Sequence, residues 1–129
     1  AALLSAQPRR SVPIPLSDAA LFTANPAGRA FIESDPLKLE RATARFLFCS
    51  SRLDAQVRRL PAGALAMPTT LLLAGQDRII DNARTEAWLR RVAGGAARVE
   101  TLAEAHHTLE FEEVVSAYER LLREWAQSP

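Results

Sequence analysis

The sequence over residues 68–82 reads Pro-Thr-Thr-Leu-Leu-Leu-Ala-Gly-Gln-Asp-Arg-Ile-Ile-Asp-Asn, and it holds the strongest structural pattern in the chain. A short apolar run between a proline and a glycine is typical of a strand that is buried on both faces, as in a parallel sheet. Residues 69–74 are therefore predicted to form such a strand, and residues 75–81 the loop that follows it.

A helix, a second strand and a final helix are predicted after this loop. Asp81 or Asn82 is expected to cap a helix over residues 83–93, which a pair of glycines ends. Residues 97–103 are predicted to form a second strand, and residues 111–126 have the apolar spacing of an amphipathic helix. The order strand, helix, strand, helix predicts an α/β fold with a right-handed crossover and two parallel strands.

The chain before this unit, over residues 1–65, is predicted to be mostly helical. The predicted elements are an extended, proline-rich run at 11–16 and helices at 19–23, 27–33, 36–49 and 52–60. The helix at 36–49 is inferred from Asp35 as its N-cap and Pro36 at its first position. Ser50 and Ser51 are expected to interrupt the helical run.

The composition argues against several classes of protein. The chain has 129 residues, is 48% hydrophobic and 24% charged, and carries a formal net charge of +1, as expected of a soluble globular domain. The balanced charge argues against a nucleic-acid binder or a polybasic membrane anchor, and no apolar run reaches the roughly 20 residues of a membrane span. Cys49 is the single cysteine, so no intramolecular disulfide is expected and a reducing compartment, the cytoplasm, is predicted.

Polar side chains that could carry chemistry follow both predicted strands. Asp77 comes soon after the first strand, and His106 and His107 come just after the second. Because ligand sites in parallel sheets form at the carboxyl ends of the strands, these loops are expected to lie side by side. An acid followed by a histidine is the order of the last two members of a nucleophile–acid–histidine triad. From spacing alone another interpretation stays open, in which Asp77 closes a turn and the histidines are surface residues.

The motif at 68–82, followed by Ala-His-His-Thr-Leu-Glu-Phe-Glu at 105–112, resembles the C-terminal part of α/β-hydrolases. The likeness is greatest to the monoacylglycerol lipase and lysophospholipase-like group. In that family a strand ends in Gly-x-x-Asp-x-x-x-Asp, which Gly75, Asp77 and Asp81 match with one residue fewer after the glycine.

The same resemblance implies a fold and a chemistry. It implies the C-terminal part of an α/β-hydrolase fold over residues 66–129, preceded by a cap-like helical segment over residues 1–65. It also implies that Asp77 is the triad acid and His107 the triad base, with His106 at the variable position before the base. The implied substrate is a small ester or lipid-like molecule, and no cofactor is implied.

Several other residues have two interpretations. Asp81 either caps the following helix, which we favour, or supports the triad acid, and Asn82 is expected to be a capping residue. Four phenylalanines either line an acyl pocket or pack a core: Phe22, Phe31, Phe46 and Phe48. No metal is expected, because the His-Glu-x-x-His spacing of zinc hydrolases is absent. Three glutamates are expected to favour the positive N-terminus of the last helix: Glu110, Glu112 and Glu113.

The sequence departs from the family pattern in one large respect. It contains no Gly-x-Ser-x-Gly, and Cys49, Ser50 and Ser51 are expected on a helix without the flanking glycines of a nucleophile elbow. The chain as written is therefore expected to be a C-terminal fragment of an ester hydrolase, inactive alone, whose serine lies in a missing N-terminal half.

Two further interpretations stay open. In one, the chain is a non-catalytic interaction module that covers its two-stranded sheet by self-association, because so small a parallel sheet is not expected to stand alone. In the other, the chain belongs to an enzyme of the same fold with a different nucleophile, such as a dehalogenase or an epoxide hydrolase.

Overall fold

The computed structural model describes residues 8–113 and 115–127. These residues form short strands, helices and three 3-10 turns, the latter at Ala19–Leu21, Gly94–Ala96 and Leu109–Phe111. In chain order the strands and helices are β1 (Ser11–Pro13), α1 (Pro26–Ser34), β2 (Arg41–Thr43), α2 (Ala44–Arg58), β3 (Thr69–Ala74), α3 (Asn82–Ala93), β4 (Ala97–Leu102) and α4 (Val115–Ala126). None of the helices in these described residues is both long and apolar enough to cross a bilayer.

The described residues fall into two compact units. The first comprises the residues up to Asp18 together with Pro36–Leu60, and the second comprises Ala19–Asp35 together with the residues from Pro61 onward. The segment over residues 1–65 thus contributes to both units, and its interpretation as a cap stays a prediction.

The first unit contains a helix that begins later than the sequence predicts. The prediction of a helix over 36–49 is wrong: β2 pairs antiparallel with β1, and α2 starts only at Ala44. The prolines near β1 keep that stretch extended, and the pairing with it outweighs the local helix start at Asp35. The Thr43 hydroxyl caps α2 by accepting from the N–H of Phe46 at 3.2 Å.

The predicted interruption of α2 at its serines is also wrong. The helix runs without a break through Ser50 and Ser51 to Arg58. Serine costs a helix only a few tenths of a kcal/mol, roughly, and neither glycine nor proline stands at this point to end it. One continuous helix therefore replaces the two predicted ones.

The second unit has the predicted parallel strand pair. β3 and β4 run parallel, in a register that pairs Thr69 with Ala97 and Ala74 with Leu102. Asp81 caps α3 by accepting from the N–H of Arg84 at 3.0 Å, and the helix ends at Gly94, whose φ of +57° favours glycine. The predicted strand–loop–helix–strand order is confirmed, and it places the two loops after β3 and β4 at one edge of the sheet.

The last helix is shorter than predicted. A 3-10 turn over Leu109–Phe111 and an extended residue at Glu112 precede it, and α4 begins at Val115, while residue 114 lies outside the described residues. The cause is tertiary, because the Glu112 side chain bonds to Thr23 and to the backbone of Ala24. The expectation that Glu112 interacts with the N-terminus of the last helix is therefore wrong.

The sheet of the second unit is covered unevenly. The buried apolar side chains come from the end of β3, from α3, from the loop after β4 and from α4: Leu73, Ala74, Leu89, Val92, Ala93, Ala105 and Leu121. Within the described residues β3 pairs with β4 alone, and Thr69 to Leu72 are only half-buried. Because a parallel sheet is normally buried on both faces, further structure is expected to pack against the half-buried part of β3.

Gly75, directly after β3, lies so close to the loop after β4 that a side chain does not fit. A Cβ at this position would lie 2.3 Å from the carbonyl oxygen of Ala103, which is a backbone atom. We expect Gly75→Ala to lower the free energy of unfolding by about 1–3 kcal/mol, since the strand ends must move apart. Denaturant titration measures this difference. Gly95→Ala is the matched control because, apart from the adjacent backbone, no atom of the described residues lies within 4 Å of a Cβ there. Equal midpoints for the two variants would contradict the prediction.

Candidate active site

The loop after β3 is shaped around the carboxylate of Asp77. The backbone N–H groups of Ile79 and Ile80 donate to Asp77 Oδ1 at 2.8 and 2.9 Å, which closes a tight turn. The N–H of Gln76 donates to the carbonyl of Ala105 at 2.8 Å, so this loop is also tied to the loop after β4. One carboxylate oxygen is thus used by the turn, and the other points away from it.

That second oxygen meets an imidazole. Nδ1 of His107 lies 2.9 Å from Oδ2 of Asp77, and the Asp77 side chain is only 7% exposed while His107 is 32% exposed. The N–H on Nδ1 donates to the carboxylate, which leaves Nε2 as the nitrogen that can accept a proton. The structure therefore brings the predicted Asp77 and His107 together, at the tips of adjacent parallel strands.

The surroundings of Asp77 keep it ionised. Burial by itself would raise its pKa, but the hydrogen bonds from the Ile80 N–H, from His107 and from the Ile79 N–H outweigh burial and hold the pKa of Asp77 below its usual value. A carboxylate in this state orients the imidazole and stabilises the imidazolium that forms when Nε2 takes up a proton.

The imidazole of His107 also contacts an aromatic ring. Phe22 meets it edge to face, with ring centroids 5.8 Å apart and an interplanar angle of 74°. Phe31 makes a similar contact with Phe111 at 5.7 Å. Of the four phenylalanines predicted to line a pocket or pack a core, Phe22 contacts the imidazole of His107, Phe31 contacts Phe111, and Phe46 and Phe48 lie on α2.

His106 has a carboxylate partner of its own. Its Nδ1 lies 3.2 Å from Oε2 of Glu112, and Glu112 Oε1 accepts from the Thr23 hydroxyl and from the N–H of Ala24. Burial would raise the pKa of Glu112, but the hydrogen bonds from Thr23, Ala24 and His106 lower it below its usual value. The two neighbouring histidines therefore face different acids, and Asp77 pairs with His107.

A family model described as "Serine aminopeptidase, S33" matches residues 3–114, which is most of the sequence. The chain belongs to this serine aminopeptidase family. Curated protein sequences contain no significant match to it.

Solved structures show the fold of this serine aminopeptidase family member. A soluble variant of monoglyceride lipase from Saccharomyces cerevisiae, solved with a substrate analog, matches with a TM-score of 0.81 at 20% identity, covering 96% of this chain and 43% of that one. The monoacylglycerol lipase of Paleococcus ferrophilus matches with a TM-score of 0.72 at 21% identity, covering 96% of this chain and 49% of that one. The α/β-hydrolase fold predicted from the sequence is confirmed, and the chain spans less than half of either lipase.

Two polar residues near the Asp77 loop have structural roles in this family member. Asp81 is the N-cap of α3, as the sequence favoured. Asn82 does not cap: its Nδ2 donates to the carbonyl of Ala74 at 2.7 Å, at the end of β3. Its buried Oδ1 has no hydrogen-bond partner among the described residues. Asp81 therefore caps the start of α3, and Asn82 joins the start of that helix to the end of β3.

The sequence did not indicate that Glu112 is buried and hydrogen-bonded to Thr23 and Ala24. Three glutamates occur between positions 110 and 113, and nothing local distinguishes the one that is buried, 5% exposed, from its exposed neighbour Glu113. The distinction arises because residues 23 and 24, far away in the chain, supply its donors. Among the described residues, no group of three or more His, Cys, Asp or Glu side chains is arranged to hold a metal ion.

Proposed function

We propose that this chain supplies the acid and the base of a serine ester hydrolase. The observation that carries the proposal is the 2.9 Å contact between Nδ1 of His107 and Oδ2 of Asp77 at the carboxyl edge of a parallel strand pair. In this proposal residues 66–129 belong to the catalytic domain and residues 1–65 to a cap-like part. The single cysteine still favours a reducing compartment such as the cytoplasm.

The proposed mechanism uses Nε2 of His107 in both half-reactions. Nε2 takes the proton of a serine hydroxyl as its oxygen attacks the ester carbonyl, and then gives that proton to the departing alcohol. In the second half-reaction Nε2 takes a proton from water as the water oxygen attacks the acyl carbonyl. Nε2 then gives that proton to the serine oxygen as the acyl–oxygen bond breaks and the acid is released. Asp77 keeps the Nδ1–H tautomer of His107 throughout and stabilises the imidazolium.

An ester with an acyl chain is the proposed substrate. Two solved structures of the same fold are a monoglyceride lipase, in complex with a substrate analog, and a monoacylglycerol lipase. The Phe22 ring beside the imidazole is consistent with an apolar group next to the reacting ester.

The serine is proposed to lie outside the 129 residues. No Gly-x-Ser-x-Gly occurs among them, and the edge of β3 that faces away from β4 carries no strand within the described residues. A further strand along this edge would bring a nucleophile elbow to the same end of the sheet as Asp77 and His107.

Active-site labelling tests the proposal on the complete polypeptide that contains this sequence. Diethyl p-nitrophenyl phosphate is expected to phosphorylate one serine, which peptide mass spectrometry places in a Gly-x-Ser-x-Gly outside residues 1–129. p-Nitrophenyl butyrate should be hydrolysed, and L-alanine p-nitroanilide should not. A label inside residues 1–129, an unlabelled protein, or hydrolysis of the anilide alone would contradict the proposal.

A second candidate function is a non-catalytic interaction module. It is favoured by a cavity of about 210 Å³ lined by residues of β3 and α4, whose apolar side chains include Leu72, Leu122 and Trp125. Trp125 is 56% exposed there, which is unusual for so large a ring. Sedimentation of the complete polypeptide distinguishes the two functions: an unlabelled, self-associating protein would favour the module, and a labelled monomer the hydrolase.

A further inference from the structure

The loop that carries His107 is fastened to a distant stretch of chain. Residues 22–25, here called the Phe22 segment, join the first 3-10 turn to α1, and residues 105–112 form the histidine loop. The N–H of Thr108 donates to the carbonyl of Phe22 at 2.8 Å, and Nδ2 of Asn25 donates to the carbonyl of Phe111 at 2.8 Å. One backbone bond and one side-chain bond thus join the first and last residues of the Phe22 segment to the histidine loop.

Glu112 lies at the centre of this junction. Its Oε1 accepts from the Thr23 hydroxyl and the Ala24 N–H, and its Oε2 contacts His106. Thr23 is fully buried, and its hydroxyl also accepts from the N–H of Asn25 at 3.0 Å. A buried carboxylate is tolerated only with such donors, and removing it would leave the Thr23 hydroxyl and the Ala24 N–H unpaired.

The junction determines where the Phe22 ring lies. The hydrogen bond that Nδ1–H of His107 donates to Asp77 restrains one nitrogen of the imidazole, but this bond alone does not fix the plane of the ring. The edge-to-face contact with Phe22 restrains the ring plane as well. Gly28 adds to the same packing, since a Cβ there would lie 2.9 Å from the Thr23 side chain and 3.1 Å from Phe111.

We propose that Glu112 is a positioning residue for the acid–base pair. Its buried carboxylate holds the Phe22 segment against the histidine loop, and thereby holds Phe22 against the imidazole of His107. This inference rests on the proposed function for its effect on hydrolysis, but the restraint on His107 can be measured without any substrate.

Glu112→Ala in the complete polypeptide tests the inference, with Glu113→Ala as the matched control at an exposed neighbour. We expect hydrogen exchange in peptides covering 22–25 and 105–112 to accelerate by about tenfold. We expect diethyl pyrocarbonate to modify His107 several-fold faster, because the ring is less restrained. The kcat for p-nitrophenyl butyrate should fall by about tenfold with little change in KM, since misplacement of the base affects the chemical step.

Glu112→Gln is expected to behave nearly like the wild type in all three measurements, because its amide oxygen still accepts from Thr23 and Ala24. Should Glu112→Ala not fold, Thr23→Val and Thr23→Ser give the same comparison by removing or keeping the hydroxyl donor. A folded Glu112→Ala protein whose His107 modification rate and kcat equal those of Glu113→Ala would overturn the inference, even with lowered stability. If neither the wild type nor any variant hydrolyses the ester, the proposed function fails. The inference is then decided by two measurements that need no substrate, namely hydrogen exchange and the rate at which His107 is modified.

Discussion

Replacing His107 by alanine is expected to lower the kcat of the complete polypeptide for p-nitrophenyl butyrate by about 10⁴- to 10⁶-fold. The reason is that Nε2 of His107 is the proposed acceptor of the serine proton, and alanine offers no group to replace it. Stopped assays with matched amounts of folded protein measure this loss. Labelling by diethyl p-nitrophenyl phosphate should slow in parallel, because the serine is no longer activated.

His106→Ala is the control for the loss of kcat in His107→Ala. His106 contacts Glu112, so its loss leaves the bond between Asp77 and His107 in place. We expect the kcat of His106→Ala to fall by less than about tenfold. Equal losses in both variants, or no loss in His107→Ala, would remove the basis for naming His107 the base.

Asp77→Asn is expected to lower kcat by about 10⁴-fold while the protein stays folded. Asparagine keeps an oxygen that accepts from the N–H groups of Ile79 and Ile80, so the turn survives. Its amide, however, would present N–H groups to Nδ1 of His107, which favours the tautomer with the proton on Nε2. Nitrogen-15 NMR of labelled histidine reports this tautomer directly.

Asp77→Asn is also expected to change how the free energy of unfolding depends on pH. The pKa of Asp77 is lower in the folded chain than in the unfolded chain, so its ionised form stabilises the fold. This contribution is complete above the ordinary aspartate pKa of about 3.9 and is lost as the pH falls through the lower folded pKa. The part of the free energy of unfolding that comes from ionised Asp77, and that Asp77→Asn lacks, should therefore be fully present above about pH 5 and shrink below about pH 4.

Asp81→Asn is the matched control for Asp77→Asn. Asparagine is as good an N-cap as aspartate, and it keeps the acceptor for the N–H of Arg84. We expect kcat and the histidine tautomer to be unchanged in this variant. A loss of activity equal to that of Asp77→Asn would show that Asp81 has more than a capping role.

Local patterns predicted the second unit well and the first unit poorly. The strands at Thr69–Ala74 and Ala97–Leu102 and the helix Asn82–Ala93 have strong local signals, namely a bounded apolar run, an N-cap and a terminating glycine. The Asp-Pro pair at residues 35–36 is an equally good local signal for a helix start, yet strand pairing with residues 11–13 overrides it.

The type and order of the elements around the strand pair, and the two side chains Asp77 and His107 at its carboxyl edge, follow from the amino-acid sequence. They do so because strand periodicity, capping and the geometry of parallel strands are local or general rules. The partner of each histidine, the burial of Glu112 and the contact of Phe22 with the imidazole required the folded chain. They depend on contacts between residues 22–25 and residues 105–112, and the two bonds to Glu112 span 88 and 89 positions of sequence. Contacts between such distant groups leave no local pattern.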